Sequence, residues 1–255
     1  MGHVGGVVTR RTAQDLGRRW LPSDIPGGLG VRAVLLVAIP VLGWRMPAPP
    51  LLPHAVHFPR LHDRLRRVRD RYDAPWYTGP WNLNVLVLRS DDVAEYDDFI
   101  IFAYEDDAER QCVHVCLATG DASAEEWIAP HHPSGCIWIR PQHAPAAHKL
   151  GDFRGRPSLL QVQPLSYSRW QGRHVPSTGE LLGLPVFRDR CGTHIHPRHS
   201  AFTPRNVGRN DSWGCTVPVQ PSEWAGALDL IRLQSINYKT TTVSVTYAQI
   251  ADLPA

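Results

Sequence analysis

From Leu83 onward the chain is a series of short apolar runs separated by turn residues, and that spacing favours a β-rich fold. The runs are Leu83 to Leu88, Phe99 to Tyr104, Cys112 to Ala118, Cys136 to Arg140 and Leu159 to Val162. Each has the length of a strand rather than a helix. Turn sequences lie between them: Asp91-Asp92, Glu105-Asp106-Asp107 and Thr119-Gly120-Asp121. Further strand-like runs follow at Leu184 to Phe187, Thr193 to His196, Trp213 to Val219 and Thr241 to Tyr247. The 23 prolines point the same way, because proline is poorly tolerated in a helical bundle and common in loop-rich β architectures. Two segments depart from this pattern. Leu61, Leu65, Val68 and Tyr72 recur at helical spacing behind Pro59, a favoured first-turn residue, with six arginines around them. Pro221 to Gln234 places Trp224, Leu228 and Ile231 on one helical face. The expected fold class is therefore mostly β with a few helices (α+β), with short connections suited to antiparallel pairing.

Residues 1–55 are unlike the rest. Arg10, Arg11, Arg18, Arg19 and Arg32 precede an apolar run from Ala33 to Trp44, then Pro47, Pro49, Pro50 and Pro53. That run is shorter than the roughly 20 residues a membrane-spanning helix needs. It reads as a flexible or apolar N-terminal leader, signal-like or disordered, with membrane association expected only through residues 33–44. The domain boundaries expected are 1–55 for the leader and 56–255 for the folded domain.

A net charge of +3 is too slight to argue for a nucleic-acid partner, so none is expected. The basic face of the first helix reads as solvated. Five cysteines are too few for a disulfide scaffold at this length. Cys112 and Cys116 on one strand would be roughly 13 Å apart, beyond the reach of a bridge. The acidic turns lack the spacing of a calcium loop. His131, His132, His143 and His148 fall in proline-rich stretches and read as surface residues.

Reactive chemistry concentrates at Gly192-Thr193-His194-Ile195-His196 and Asp211-Ser212-Trp213-Gly214-Cys215-Thr216-Val217. On a strand, His194 and His196 share one face and Ile195 takes the other. A cysteine on a neighbouring strand then has an imidazole to take its proton, and only the thiolate is a strong nucleophile. Gly214 would let the backbone at Cys215 approach a substrate carbonyl, and Ser212 could orient the imidazole. Zinc competes for the same residues. Cys191, His194, His196 and His199 lie within nine residues, but without a familiar structural-zinc spacing or an adjacent helical carboxylate. A papain-type protease is disfavoured by order, because there the cysteine precedes the histidine.

Ile195-His196, followed nineteen residues later by Cys215 in a Ser-x-Gly-Cys arrangement, resembles the signature of the L,D-transpeptidase catalytic domain. Trp81 to Ser90 and Gly135 to Gly151 also resemble segments of its phage- and prophage-type relatives. The resemblance implies an antiparallel β-sandwich or barrel that acts on peptidoglycan stem peptides through a thioester, with no cofactor and no metal. By position, Cys215 matches the nucleophile and His196 the base, with Ser212 and Gly214 as motif residues around them. Three positions depart from the pattern: Trp213 stands where the family usually has histidine, Val217 where it has arginine, and Pro197 where it has glycine. Substrate contacts are expected from Trp213, His194, Arg205 and Arg209, the arginines by bidentate pairing with stem-peptide carboxylates. Arg198 is expected to hang over the site with them. The implied partner is peptidoglycan, and the implied location is the cell envelope, outside the cytoplasm, or a phage particle. The alternatives are a non-enzymatic structural or wall-binding module and a zinc-dependent hydrolase using His194 and His196.

Overall fold

Residues 56–57, 59–91, 93, 97–198 and 212–254 are described by a computed structural model. The expected leader, residues 1–55 with its 33–44 apolar run, lies outside them, as do His199, Arg205 and Arg209. No helix among the described residues is long and apolar enough to cross a membrane.

The main sheet is built from β1 (Val56–His57), β2 (Asn84–Arg89), β3 (Asp98–Glu105), β4 (Gln111–Thr119), β6 (Gln142–Phe153), β7 (Arg156–Gln161), β10 (Val217–Pro218) and β11 (Thr242–Gln249). Its order is β1-β4-β3-β2-β11-β6-β7, with β10 also paired to β4. A smaller sheet has the order β5-β8-β9, from β5 (Cys136–Ile139), β8 (Leu165–Trp170) and β9 (Phe187–Asp189). Among the described residues four α-helices accompany them: α1 (Pro59–Asp70), α2 (Ala124–Ile128), α3 (Thr178–Leu182) and α4 (Pro221–Tyr238). The chain is thus mostly β with helices, as its apolar runs require.

The pairing is mixed rather than wholly antiparallel. β11 runs parallel to β2, Val245 opposite Val85, because α4 carries the chain back across the sheet before β11 begins. Beyond β7 the pairing does not stop. Leu159 bridges Ile195 antiparallel, Ile195 bridges Thr216 in parallel, and Val217 pairs with Thr119 of β4. The histidine and cysteine runs are therefore the seam along which the curled sheet returns to its own β4.

Both faces of the main sheet are covered. Val85, Val87, Ile100, Phe102, Val243, Val245 and Tyr247 pack with Trp224, Ala227, Leu228 and Ile231 of α4. On the other face Leu86, Leu88, Ile101, Ala103 and Ala248 meet Leu65 and Val68 of α1. This double burial explains why β2 is a continuous apolar run instead of an alternating one. Each such side chain contributes roughly 1.5–3 kcal/mol by leaving water. A third cluster, centred on Trp127, Trp138 and Trp170, joins the small sheet to α2 and α3.

Three differences from the sequence expectation have local causes. α2 and α3 are two further helices, each only five residues long, started by Ser123 and Ser177; Ser177 and Glu180 form a reciprocal capping box. The stretch around His143 and His148 is not a surface loop but β6, a strand of twelve residues. Pro145 hid it: the register against β11 shifts between Val243 and Val245, opposite this proline, and a bulge tolerates a residue without an N–H. β8 was not anticipated, because Ser166, Ser168 and Arg169 dilute its apolar alternation.

Candidate functional site

The parallel bridge between Ile195 and Thr216 fixes the geometry of the seam. Thr216 N–H donates to the His194 carbonyl (3.0 Å), and His196 N–H donates to the Thr216 carbonyl (3.1 Å). The antiparallel pairing expected of neighbouring strands is therefore replaced here by a parallel one, reached through the long 197–211 connection. Ile195 faces opposite to its neighbours His194 and His196, and the Cys215 sulfur lies beside His194, 3.4 Å from its main-chain nitrogen. Ile195 is fully buried in the main core. On the other side, the Phe153 ring lies 4.8 Å from both the His194 and the His196 rings.

The two histidines are held in different states. His194 Nδ1 accepts the Gln161 main-chain N–H (3.0 Å), so a neutral His194 carries its proton on Nε2. Burial lowers its pKa and keeps it neutral. His196 Nδ1 faces the Pro197 carbonyl at 3.1 Å, and only a protonated Nδ1 can make that bond. The basic lone pair of a neutral His196 is then on Nε2. That is the tautomer a general base needs, and a main-chain carbonyl sets it, not Ser212 as the sequence suggested.

Ser212 works on the backbone instead. Its Oγ donates to the Cys215 carbonyl (2.6 Å) and accepts the Gly214 N–H (2.9 Å), closing the turn that presents the cysteine. Gly214 has φ +131°, and a Cβ there would lie 2.3 Å from the Ile137 carbonyl oxygen. The close approach expected of this glycine is therefore to β5, not to a substrate; the Trp213 carbonyl also accepts the Ile137 N–H (2.9 Å). The Gly214 N–H is thus engaged by Ser212 Oγ within the turn.

Cys215 keeps some exposed surface while its sulfur sits among protein atoms. That desolvation pushes the thiol up to about 11. Opposing it, the His194 main-chain N–H donates to Sγ (3.4 Å), and the charge of Arg154 favours the thiolate. At neutral pH the resting thiol is thus protonated, and its proton must leave as the nucleophile is used. All five cysteines are free thiols.

Gln161, on the last position of β7, organises the segment before His194. Its Oε1 accepts the Gly192 and Thr193 N–H groups at 2.9 and 3.1 Å, while its Nε2 donates to the Gln163 and Asp189 carbonyls. Nothing in the sequence distinguishes this glutamine from an ordinary polar strand residue. His148 is another residue whose setting the sequence concealed. It is fully buried, with Nε2 2.8 Å from the Tyr247 hydroxyl. His143 is half-buried, with Nδ1 3.0 Å from Thr246 Oγ1.

The expected substrate contacts divide. Trp213 is 47% exposed with its ring 6.0 Å from that of His132, and so is open at the mouth of the turn. Arg198 is buried, not held out in a loop. Val217, at the position where the resemblance calls for arginine, is fully buried against β4. Among the described residues no three His, Cys, Asp or Glu side chains come together as a metal site; His199, part of the zinc reading, lies outside them. No protein-family model matches this chain, and no curated protein matches it.

Proposed function

We propose that the chain is a cysteine-dependent acyl-transfer enzyme or hydrolase of the L,D-transpeptidase type, acting on peptidoglycan stem peptides through a thioester at Cys215. One observation supports the reading: the Ile195–Thr216 pairing brings the histidine run alongside the cysteine turn, with the His194 N–H on the Cys215 sulfur. His196 is the base, because its Nδ1 is committed to the Pro197 carbonyl and its Nε2 bears the lone pair. In the proposed reaction Nε2 takes the Cys215 proton as Sγ attacks an amide carbonyl carbon. The Cys215 N–H holds the resulting oxyanion. Collapse breaks the C–N bond, and the departing amine takes the proton from His196. Water or a second amine then attacks the thioester, releasing the acid or a new amide and returning the thiol.

Mass spectrometry of muropeptides after incubation of sacculi with the wild type and Cys215→Ala tests this. New cross-links or trimmed stems with the wild type alone are expected; identical profiles with both proteins would refute it. A second reading, a non-enzymatic wall-binding module, takes support from the protonated state in which burial holds the thiol. It requires Cys215→Ala to bind sacculi as the wild type does, with neither protein changing the muropeptides.

A further inference from the structure

The turn between β6 and β7 brings a cation to this site that the sequence motif does not contain. Phe153 pairs with Arg156 across two residues, Arg154 at φ +54° and Gly155 at φ +80°. Positive φ at both central positions is the tight hairpin turn that matches the strand twist. Asp152 Oδ1 accepts the Gly155 N–H (2.7 Å), which fixes the tip. The Arg154 guanidinium lies 5.2 Å over the Phe153 ring, and the same ring touches both imidazoles of the seam at 4.8 Å. Arg154 is exposed, yet its charge acts on Cys215, and no carboxylate among the described residues pairs with it. The charged and titratable groups acting on that sulfur are Cys191, Arg154 and, through its main chain, His194.

We infer that Arg154 is the carboxylate-binding residue of the site, held by the β6–β7 hairpin and Phe153 so that an anionic group beside the reacting carbonyl is drawn to Cys215. The inference rests on the acyl-transfer reading for its natural substrate, a peptide carrying a carboxylate next to the bond attacked. It supplies the substrate anchor that buried Val217 does not.

The test compares two alkylating reagents of similar size, anionic iodoacetate and neutral iodoacetamide, on Cys215 of the full chain at one pH. Because both need the same thiolate, the ratio of their rates cancels any change in thiol acidity. Arg154→Asn removes the charge and creates Asn-Gly, a pair well suited to this turn, so the hairpin is retained. The iodoacetate-to-iodoacetamide ratio is expected to fall about three- to tenfold in Arg154→Asn, the size of one partly screened charge at short range. It should return in Arg154→Lys and shrink for the wild type in high salt. An equal ratio in wild type and Arg154→Asn would overturn the inference. The measurement needs no wall substrate, so a chain that leaves muropeptides unchanged but shows the charge-dependent ratio would refute the acyl-transfer reading and keep the anion site.

Discussion

His148 allows a quantitative prediction about stability. It is completely buried between β7 and β11, and desolvation pulls its pKa down to about 4 from the ordinary 6.5. Unfolding returns the imidazole to water and to the ordinary value. Between these two pH values the unfolded chain binds a proton that the folded chain refuses. The stability contribution is therefore fully present above about 6.5 and falls as the pH drops toward 4. The slope is about 1.4 kcal/mol per pH unit, which accumulates to about 3 kcal/mol at the acid end. Replacing His148 by Gln keeps a hydrogen-bonding group near the Tyr247 hydroxyl and removes the titration. Urea unfolding of both proteins at several pH values from 7.5 to 4 measures the difference. His143, also lowered to about 4 by burial and by Arg69, and the carboxylates are common to both and cancel. The wild type should lose about 3 kcal/mol more than His148→Gln across this range. Parallel losses would show that His148 is solvated or already charged, and would remove the buried His148–Tyr247 pair from the description of the core.

Two further substitutions probe the cysteine turn. Gly214→Ala forces a side chain into a positive-φ position and against the Ile137 carbonyl, and should cost roughly 2–6 kcal/mol as backbone strain plus overpacking. A thermal melt should then fall by on the order of 5–15 °C, and a melt within 2 °C of the wild type, about 1 kcal/mol, would contradict the reading. Ser212→Ala strips a partner from both the Cys215 carbonyl and the Gly214 N–H, and should cost about 1–3 kcal/mol in urea unfolding. An unchanged midpoint would mean that water replaces the hydroxyl at no cost.

The class of fold was legible because the strongest signals were local. Six-residue runs such as Leu83 to Leu88, with Gly79-Pro80 before and Asp91-Asp92 after, admit few alternatives to strands. The helix behind Pro59 and the one from Pro221 were equally plain, the latter continuing to Tyr238, four residues past Gln234, and stopping at Lys239 in a left-handed cap. What stayed hidden depends on residues distant in sequence. β6 is interrupted by Pro145 at a bulge whose other half is β11, about 100 residues away. The parallel sense of the seam is set by how β7 and β10 attach to it, and no periodicity within Thr193 to His196 encodes that direction. In the site itself residue types were informative and roles were not. A histidine and a cysteine announce their chemistry wherever they occur. Ser212, by contrast, could serve an imidazole or a turn, and only the positions of the Cys215 carbonyl and Gly214 N–H decide for the turn. Gln161 and Arg154 carried no signal at all, because a polar strand residue and a hairpin-tip arginine are common in solvent.

Intact-protein mass spectrometry after incubation with a carbapenem tests the pairing of sulfur and imidazole most directly. A strained β-lactam is opened by a competent thiolate and leaves a stable acyl adduct to be weighed and mapped. The wild type should gain one carbapenem mass on Cys215; Cys215→Ala should gain none, and His196→Ala should react on the order of 100-fold more slowly. A wild type that stays unmodified, or an adduct that forms as fast without His196, would contradict the account.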